Sequence, residues 1–301
     1  MALILPQATN RSLPALPAVL ELLKPITWFP PMWAYACGVV SSGQPLGFRI
    51  PEILVGVLLA GPLVCGTSQA VNDWFDRAVD AVNEPSRPIP SGRIPGYWGL
   101  YIAIICTGIS LLVALALGKL GFAAAGVGLA LAWAYSAPPL RLKLNGWWGN
   151  SAVAGCYEGL PWFTGAALSA GAMPTWQNLT IAVLYSVGAH GIMTLNDFKS
   201  IEGDTRFGVR SLPVQLGAPR AALVACGVMA APQVLVILLL LAWGATWHAV
   251  IVSLLLIVQL GLMRRLLTNP RALAPWYNGT GISLYVIGML VAAFAMRGLS
   301  W

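Results

Sequence analysis

Seven of the ten acidic residues in this 301-residue chain fall into two short groups. Asp73, Asp76, Asp80 and Glu84 make one and Asp197, Glu202 and Asp204 the other, with Glu21, Glu52 and Glu158 standing apart. The groups match each other. Asn72-Asp73-x-x-Asp76-x-x-x-Asp80 aligns with Asn196-Asp197-x-x-Ser200-x-x-x-Asp204. On a helix, offsets of 0, 1, 4 and 8 residues point to roughly 0°, 100°, 40° and 80°. Each motif is therefore expected to put its four side chains on one helical face, with Glu202 pointing away. Two such faces brought together would make a pocket of carboxylate and amide oxygens, the donors that Mg²⁺ takes alongside substrate phosphates. The bland alternative, two solvated acidic loops neutralised by nearby arginines, leaves the repeated spacing unexplained.

Lys24, Arg87, Arg93, Arg141, Lys143, Arg206 and Arg210 stand close to these groups in the sequence. Some could grip diphosphate oxygens as a leaving group develops charge. For any one of them, membrane topology explains a basic residue equally well.

The elements that must carry these side chains are membrane helices. Hydrophobic residues make up 58% of the chain and charged ones 9%, with a mean hydropathy of +0.76. A soluble domain carries about 25% charged residues, so a water-exposed surface cannot be built. Apolar stretches long enough to cross a bilayer predict nine spans, at roughly 22–42, 52–72, 96–118, 119–136, 147–170, 176–197, 219–243, 246–267 and 279–297. The expected fold is an all-α polytopic bundle, one membrane domain over 1–301 with no soluble module. The N-terminus lacks the pattern of a cleaved secretory signal, so the first span is expected to stay.

The net charge of +7 is spread over short loops, which points to a membrane surface and not to nucleic acid. Arg11, Lys24, Arg77, Arg87, Arg93, Arg141, Lys143, Lys199, Arg206, Arg210, Arg220, Arg264, Arg265 and Arg271 fall on one side of this topology. Arg49, Lys119 and Arg297 fall on the other. The positive-inside bias then puts the N-terminus in the cytoplasm and the C-terminus in the periplasm. Both acidic groups meet the cytoplasmic face, four spans apart and in the same orientation, as a parallel internal repeat would place them. The cysteines Cys37, Cys65, Cys106, Cys156 and Cys226 all lie in apolar spans and read as small buried hydrophobes.

NDWFDRAVD at 72–80 is similar to the first Asp-rich motif of the UbiA-type intramembrane prenyltransferases, and YSAPPLRLK at 135–143 resembles a loop segment of that superfamily. The segments at 83–95, 145–150, 157–165 and 190–213 resemble its chlorophyll and bacteriochlorophyll synthase branch, and 275–290 the bacterial part of it. The resemblance implies helices around a lipid-accessible cavity with Mg²⁺ and diphosphate held under a cytoplasmic cap. It implies Asn72, Asp76, Asp80, Asp197 and Asp204 as metal ligands, with Asn72, Asp76, Asp80 and Asp204 central to catalysis. It implies substrate contacts from Lys24, Arg87, Tyr135, Ser136, Arg141, Lys143, Asn196, Asp197 and Arg206. Most of the superfamily has an aspartate where this chain has Ser200, which leaves Asp204 with Asp197 and Asn196 for the second metal.

The implied reaction joins the propionate of bacteriochlorophyllide to the geranylgeranyl or phytyl group of a prenyl diphosphate at the bilayer. A propionic acid with a pKa near that of Glu, about 4.3, is already an ionised nucleophile at neutral pH, so no general base is required. A quinone precursor, haem or homogentisate is the alternative acceptor, and a phenolic ring carbon would need activation. A cation transporter is the alternative from another class, but it predicts acids near the midplane. His190 could ligate the central Mg²⁺ of the macrocycle, with helix packing as the simpler reading. His248 falls in a short outer turn. Glu158 lies mid-span, where an ionisable residue is functional by default, and a hydrogen bond within the bundle is an equal contender. The Trp and Gly run at 146–165 suits a flat macrocycle, or interfacial anchoring and close helix packing.

Overall fold

The computed structural model describes residues 13–299, so Arg11 lies outside the described residues. They form helices in this order: α1 Leu16–Leu23, α2 Phe29–Ser41, α3 Ile50–Asn83, α4 Trp98–Leu117, α5 Lys119–Ser136 and α6 over 146–170. Then follow α7 Trp176–Asn196, α8 Ile201–Phe207, α9 Leu212–Leu216, α10 Ala218–Ala242, α11 Thr246–Leu266 and α12 Pro270–Gly298. The one strand-like feature among the described residues is an isolated bridge between Asn145 and Arg210.

Prolines set several starts. Pro17, Pro51 and Pro270 sit in the first turns of α1, α3 and α12, where their missing N–H is not needed. Pro62 falls inside α3, and the helix widens into a π-helical stretch over Leu59–Cys65. A second π stretch, Gly155–Gly159 in α6, directly precedes Pro161. Widened turns absorb the hydrogen bond a mid-helix proline cannot make.

Six helical runs are long and apolar enough to cross a membrane: α3, α4, Trp176–Lys199, α10, α11 and α12. The chain is thus a membrane protein, with its apolar side chains turned outward as well as inward. Ile104, Leu112, Leu115, Leu238 and Ile257 are all exposed, as lipid-facing positions require. The helices α2, α5 and α6 occupy three further predicted spans; α2 has 13 residues, fewer than a crossing of ordinary length needs. Three predicted boundaries shift, the first being the start of span 22–42, whose helix begins at Phe29. The second span runs on past 72 to Asn83, and the last helix starts at Pro270 instead of 279.

Close packing comes from glycine. A Cβ on Gly38 of α2 would fall on the Trp162 carbonyl of α6, and one on Gly165 of α6 on the Tyr35 carbonyl of α2. The two backbones therefore touch directly, as small residues permit in membranes. A buried core of Trp162, Tyr185, Tyr285 and Met289 lies beside this crossing. Gln233 donates to Gln259 at 2.8 Å and Gln259 to the Gly281 carbonyl at 3.1 Å, tying α10, α11 and α12 together.

Candidate active site

The first motif rides on the last turns of α3. Because that helix does not stop at the predicted boundary, Asn72, Asp73, Asp76 and Asp80 share one rigid rod. Asp73 is buried, 2% exposed at its side chain, and is gripped from two directions: Lys24 Nζ at 2.6 Å and Arg87 Nη1 at 3.5 Å. Arg87 also reaches Asp80 at 2.9 Å and forks onto Glu84, with both contacts at 2.7 Å. Lys143 meets Asp76 at 2.5 Å. Asn72 donates to the Ser136 hydroxyl at 3.3 Å. Asp73 is the residue that sequence reasoning underweighted. It lay within the motif and on the predicted face, but only the fold shows it anchoring two of the predicted basic residues.

The basic residues arrive from three separate segments. Lys24 ends α1 in the left-handed region, φ 48°, and Arg141 precedes a short turn at φ 38°. A non-glycine residue held there is strained, and such strain concentrates at functional sites. The Nε of Arg141 is buried without a hydrogen-bond partner among the described residues. Burial pushes the Lys143 ammonium below its usual range, against the opposing pull of Asp76. Arg93 turns away and pairs with Glu21 at 2.5 and 2.8 Å on the surface.

The second motif departs from the predicted continuous helix. α7 ends at Asn196, Asp197–Lys199 forms a tight turn, and α8 starts afresh at Ile201. Ser200 stands at the N-cap of the new helix, its carbonyl accepting from the Asp204 N–H at 2.8 Å, while its hydroxyl makes no capping bond. The four side chains therefore do not share one helical face. The Asn196 side-chain Oδ1 accepts from the Asn278 amide of α12 at 2.8 Å. Asp197 accepts from Asn150 at 3.1 Å, and Asn150 also reaches Thr194 at 3.3 Å. Burial pushes the Asp204 carboxyl above the usual range, partly offset by the neighbouring Ser211 hydroxyl. Arg206 is exposed, its guanidinium 5.7 Å from the Phe207 ring, and is not brought to the acids.

Tyr135 joins the two halves. Its hydroxyl lies in the field of Asp197 and Asp204 from the second motif and Asp76 from the first. Below it a cleft runs into the bundle, with Asn72, Gln69 and Met193 near the acids and Val64, Gly128 and Cys156 beyond. It shares Val64, Gly128 and Cys156 with a second apolar cleft that ends at Tyr35, Gly56 and Thr164. Gln69 donates to the Tyr157 hydroxyl at 3.0 Å, a polar patch inside this passage.

The donors suit a hard cation. The converging groups are carboxylate, amide and hydroxyl oxygens, and among the described residues no three His, Cys, Asp or Glu side chains close around one ion. Mg²⁺ is usually held by one or two carboxylates with substrate phosphates supplying the rest. The split of the acids into two small sets fits that demand.

A membrane bundle with a charged cap of acids and bases over an apolar passage is the plan of an intramembrane enzyme that handles a charged head on a hydrocarbon tail. The chain belongs to the UbiA prenyltransferase family, whose pattern matches residues 25–281. It is 61% identical over 289 residues to the bacteriochlorophyll synthase 33 kDa chain of Cereibacter sphaeroides, covering 96% of both chains. It is 38% identical to the chloroplastic chlorophyll synthase of Avena sativa, covering 92% of this chain and 75% of that one. A UbiA homolog from Archaeoglobus fulgidus bound to GPP and Mg²⁺ shares the fold at a TM-score of 0.72 and 21% identity, over 94% of this chain and all of the other.

Proposed function

We propose that this protein esterifies the propionate of bacteriochlorophyllide with geranylgeranyl or phytyl diphosphate, the reaction of a bacteriochlorophyll synthase. The observation that carries the reading is the 61% identity to such a synthase across 96% of the chain. The prenyl tail lies in the apolar passage below Tyr135, and its diphosphate lies under Lys24, Arg87, Arg141 and Lys143. Asn72, Asp76 and Asp80 hold one Mg²⁺ and Asp197 with Asp204 a second. Bound there, the ions supply Lewis-acid stabilisation to the departing diphosphate.

Lys143 pairs with Asp76 and Arg87 with Asp80, so the cations proposed for the diphosphate lie beside the carboxylates proposed for the metal. These pairs keep a strongly acidic helix end neutral. The same cations would donate to the diphosphate oxygens. One carboxylate oxygen of the propionate then attacks the first carbon of the prenyl group. The bond from that carbon to the diphosphate oxygen breaks, and its electron pair leaves with diphosphate. The nucleophile is already ionised, so no residue has to move a proton. The apolar walls keep water from an allylic cation. In the same reading, the whole chain 1–301 is one domain of nine crossing helices in the cell inner membrane, with its N-terminus cytoplasmic and C-terminus periplasmic.

The test is purified protein in detergent with bacteriochlorophyllide, geranylgeranyl diphosphate and Mg²⁺, scored for ester. Asp76→Ala and Asp80→Ala should each lower turnover by about two orders of magnitude or more while the protein still inserts. Prenylation of a quinone precursor in place of bacteriochlorophyllide would replace the proposed acceptor. Near-normal turnover by either variant at saturating Mg²⁺ would remove that residue from the metal site.

A further inference from the structure

The passage below Tyr135 has an end. Its upper cleft continues into the lower one through Ala60, Val64, Gly128 and Cys156, which line both. None of the residues lining either cleft is exposed, so the passage runs inside the bundle and not along its lipid face. It is polar at the top, where Gln69 donates to the Tyr157 hydroxyl at 3.0 Å. Lower down the lining is apolar, with Leu59, Ala124, Leu160 and Pro161 among its walls. Thr164 keeps that character, because its hydroxyl proton goes to the Leu160 carbonyl at 2.7 Å.

Tyr35 of α2 stands at the lower end and is 1% exposed. Two glycines seat it there. A Cβ on Gly56 of α3 would fall on the Tyr35 ring and hydroxyl, so the phenol rests directly on the α3 backbone. A Cβ on Gly165 of α6 would fall on the Tyr35 carbonyl, so its main chain presses on a second helix. Side chain and main chain are each held against a neighbour, and a close-packed interior resists moving either. On α3 the lining runs from Gln69 to Gly56. These are thirteen positions apart, roughly 20 Å at the helical rise. With the diphosphate above Gln69, beside Asn72 and Asp76, that depth is comparable with four extended isoprene units. A fifth would meet Tyr35.

We propose that Tyr35, seated on Gly56, is the floor of the prenyl site and limits the chain it takes to four isoprene units. The inference rests on the reading that this passage holds the prenyl tail. It adds the limit on the tail and the residue that imposes it. Gly128 of α5 sets the width partway down, where the two clefts join. A Cβ there would make ordinary contact with Leu160 and Val64, both at 3.7 Å. A methyl group therefore fits, whereas a leucine would fill the join. Val64 lies five positions below Gln69, about 7–8 Å along the helix, so two isoprene units end near this level.

The test measures binding of geranyl, geranylgeranyl and geranylfarnesyl diphosphates, with Mg²⁺, to wild type, Tyr35→Ala and Gly128→Leu in detergent. No acceptor is present, so the limit is read whichever ring is esterified. Wild type should bind the four-unit chain about tenfold tighter than the five-unit one, the penalty for forcing extra carbons into a packed wall. Tyr35→Ala removes a ring about the size of one isoprene unit and should erase that preference. Gly128→Leu should reverse the preference for four units over two. With bacteriochlorophyllide added, the esters formed from an equimolar mixture should follow the same ratios, which do not depend on how much protein is folded. Equal affinity of wild type for four and five units, or an unchanged ratio in Tyr35→Ala, would mean that the tail bypasses Tyr35 and the inference is wrong. A Gly128→Leu variant that still prefers four units would take the tail out of this passage, with the same consequence. Wild type that binds with the expected limit yet forms no ester would instead overturn the esterification reading and leave the limit standing.

Discussion

At the scale of the residue, the site is a balance of charges that the folded chain holds at some expense. Asp204 shows it. Its carboxyl is pushed above the ordinary range by burial, with Ser211 only partly opposing, so folding disfavours its ionised form. The folded state then binds this proton more tightly than the unfolded state does. Stability linked to Asp204 is full below its unfolded pKa and is lost as pH rises through the raised folded value. Asp204→Asn removes the loss. Without metal, the variant should melt with the wild type at acid pH and a few degrees above it at pH 7, while ester formation collapses. Thermal unfolding followed across pH in the absence of divalent ions checks this. A variant that is no more stable than the wild type at pH 7 would show that Asp204 is not strained by burial. Stability given up at one carboxylate is what a residue kept for ligand binding should display.

Helices decide which of these residues can meet, and here the sequence was legible in unequal parts. The first motif was readable because its spacing is helical and α3 obeys it; only the helix's length was missed, since hydropathy fades at Asn72 while the hydrogen-bonded ladder continues. The second motif departs from its expected single helix because the backbone tightens at Asp197–Lys199, which the spacing of its acids does not signal. The crossing of α2 and α6 was not legible, since a glycine in an apolar run does not announce which backbone will press on it. That crossing carries a test. Gly38→Ala and Gly165→Ala each force a methyl group onto a partner carbonyl, and overpacking of this kind costs about 1–3 kcal/mol. Gly126→Ala in α5 meets nothing within 4 Å and should gain up to about 1 kcal/mol of helix propensity. Denaturant unfolding in detergent should therefore rank Gly126→Ala at or above wild type and the other two clearly below. Equal midpoints for all three would mean that the α2–α6 contact is looser than described.

Across the whole molecule, the ion pairs and the arginines that bond to carbonyls sort to two ends of the bundle, with Glu158 buried between them in α6. At one end lie the pairs Lys24–Asp73, Arg87–Asp80 and Lys143–Asp76, the Asn145–Arg210 bridge and the Arg271–Glu202 pair at 3.2 Å. At the other, Arg49 donates to the Ser169 carbonyl at 2.6 Å and Arg297 to the Gln44 carbonyl at 3.0 Å. The Lys and Arg count predicts such a division, and in the orientation proposed above the crowded end would be cytoplasmic. An ionised diphosphate would then be met and released on that side, while the two apolar substrates approach through the bilayer. The five native cysteines are buried or half-buried in the helices, so a single introduced thiol can report its side against a low background. Glu84→Cys and Arg206→Cys, both at exposed positions of the crowded end, and Gln44→Cys, exposed at the other, form the set. In spheroplasts an impermeant maleimide should label position 44 and leave 84 and 206 unlabelled until the membrane is opened. Labelling of 84 or 206 from outside would reverse the orientation, and with it the side on which diphosphate is released.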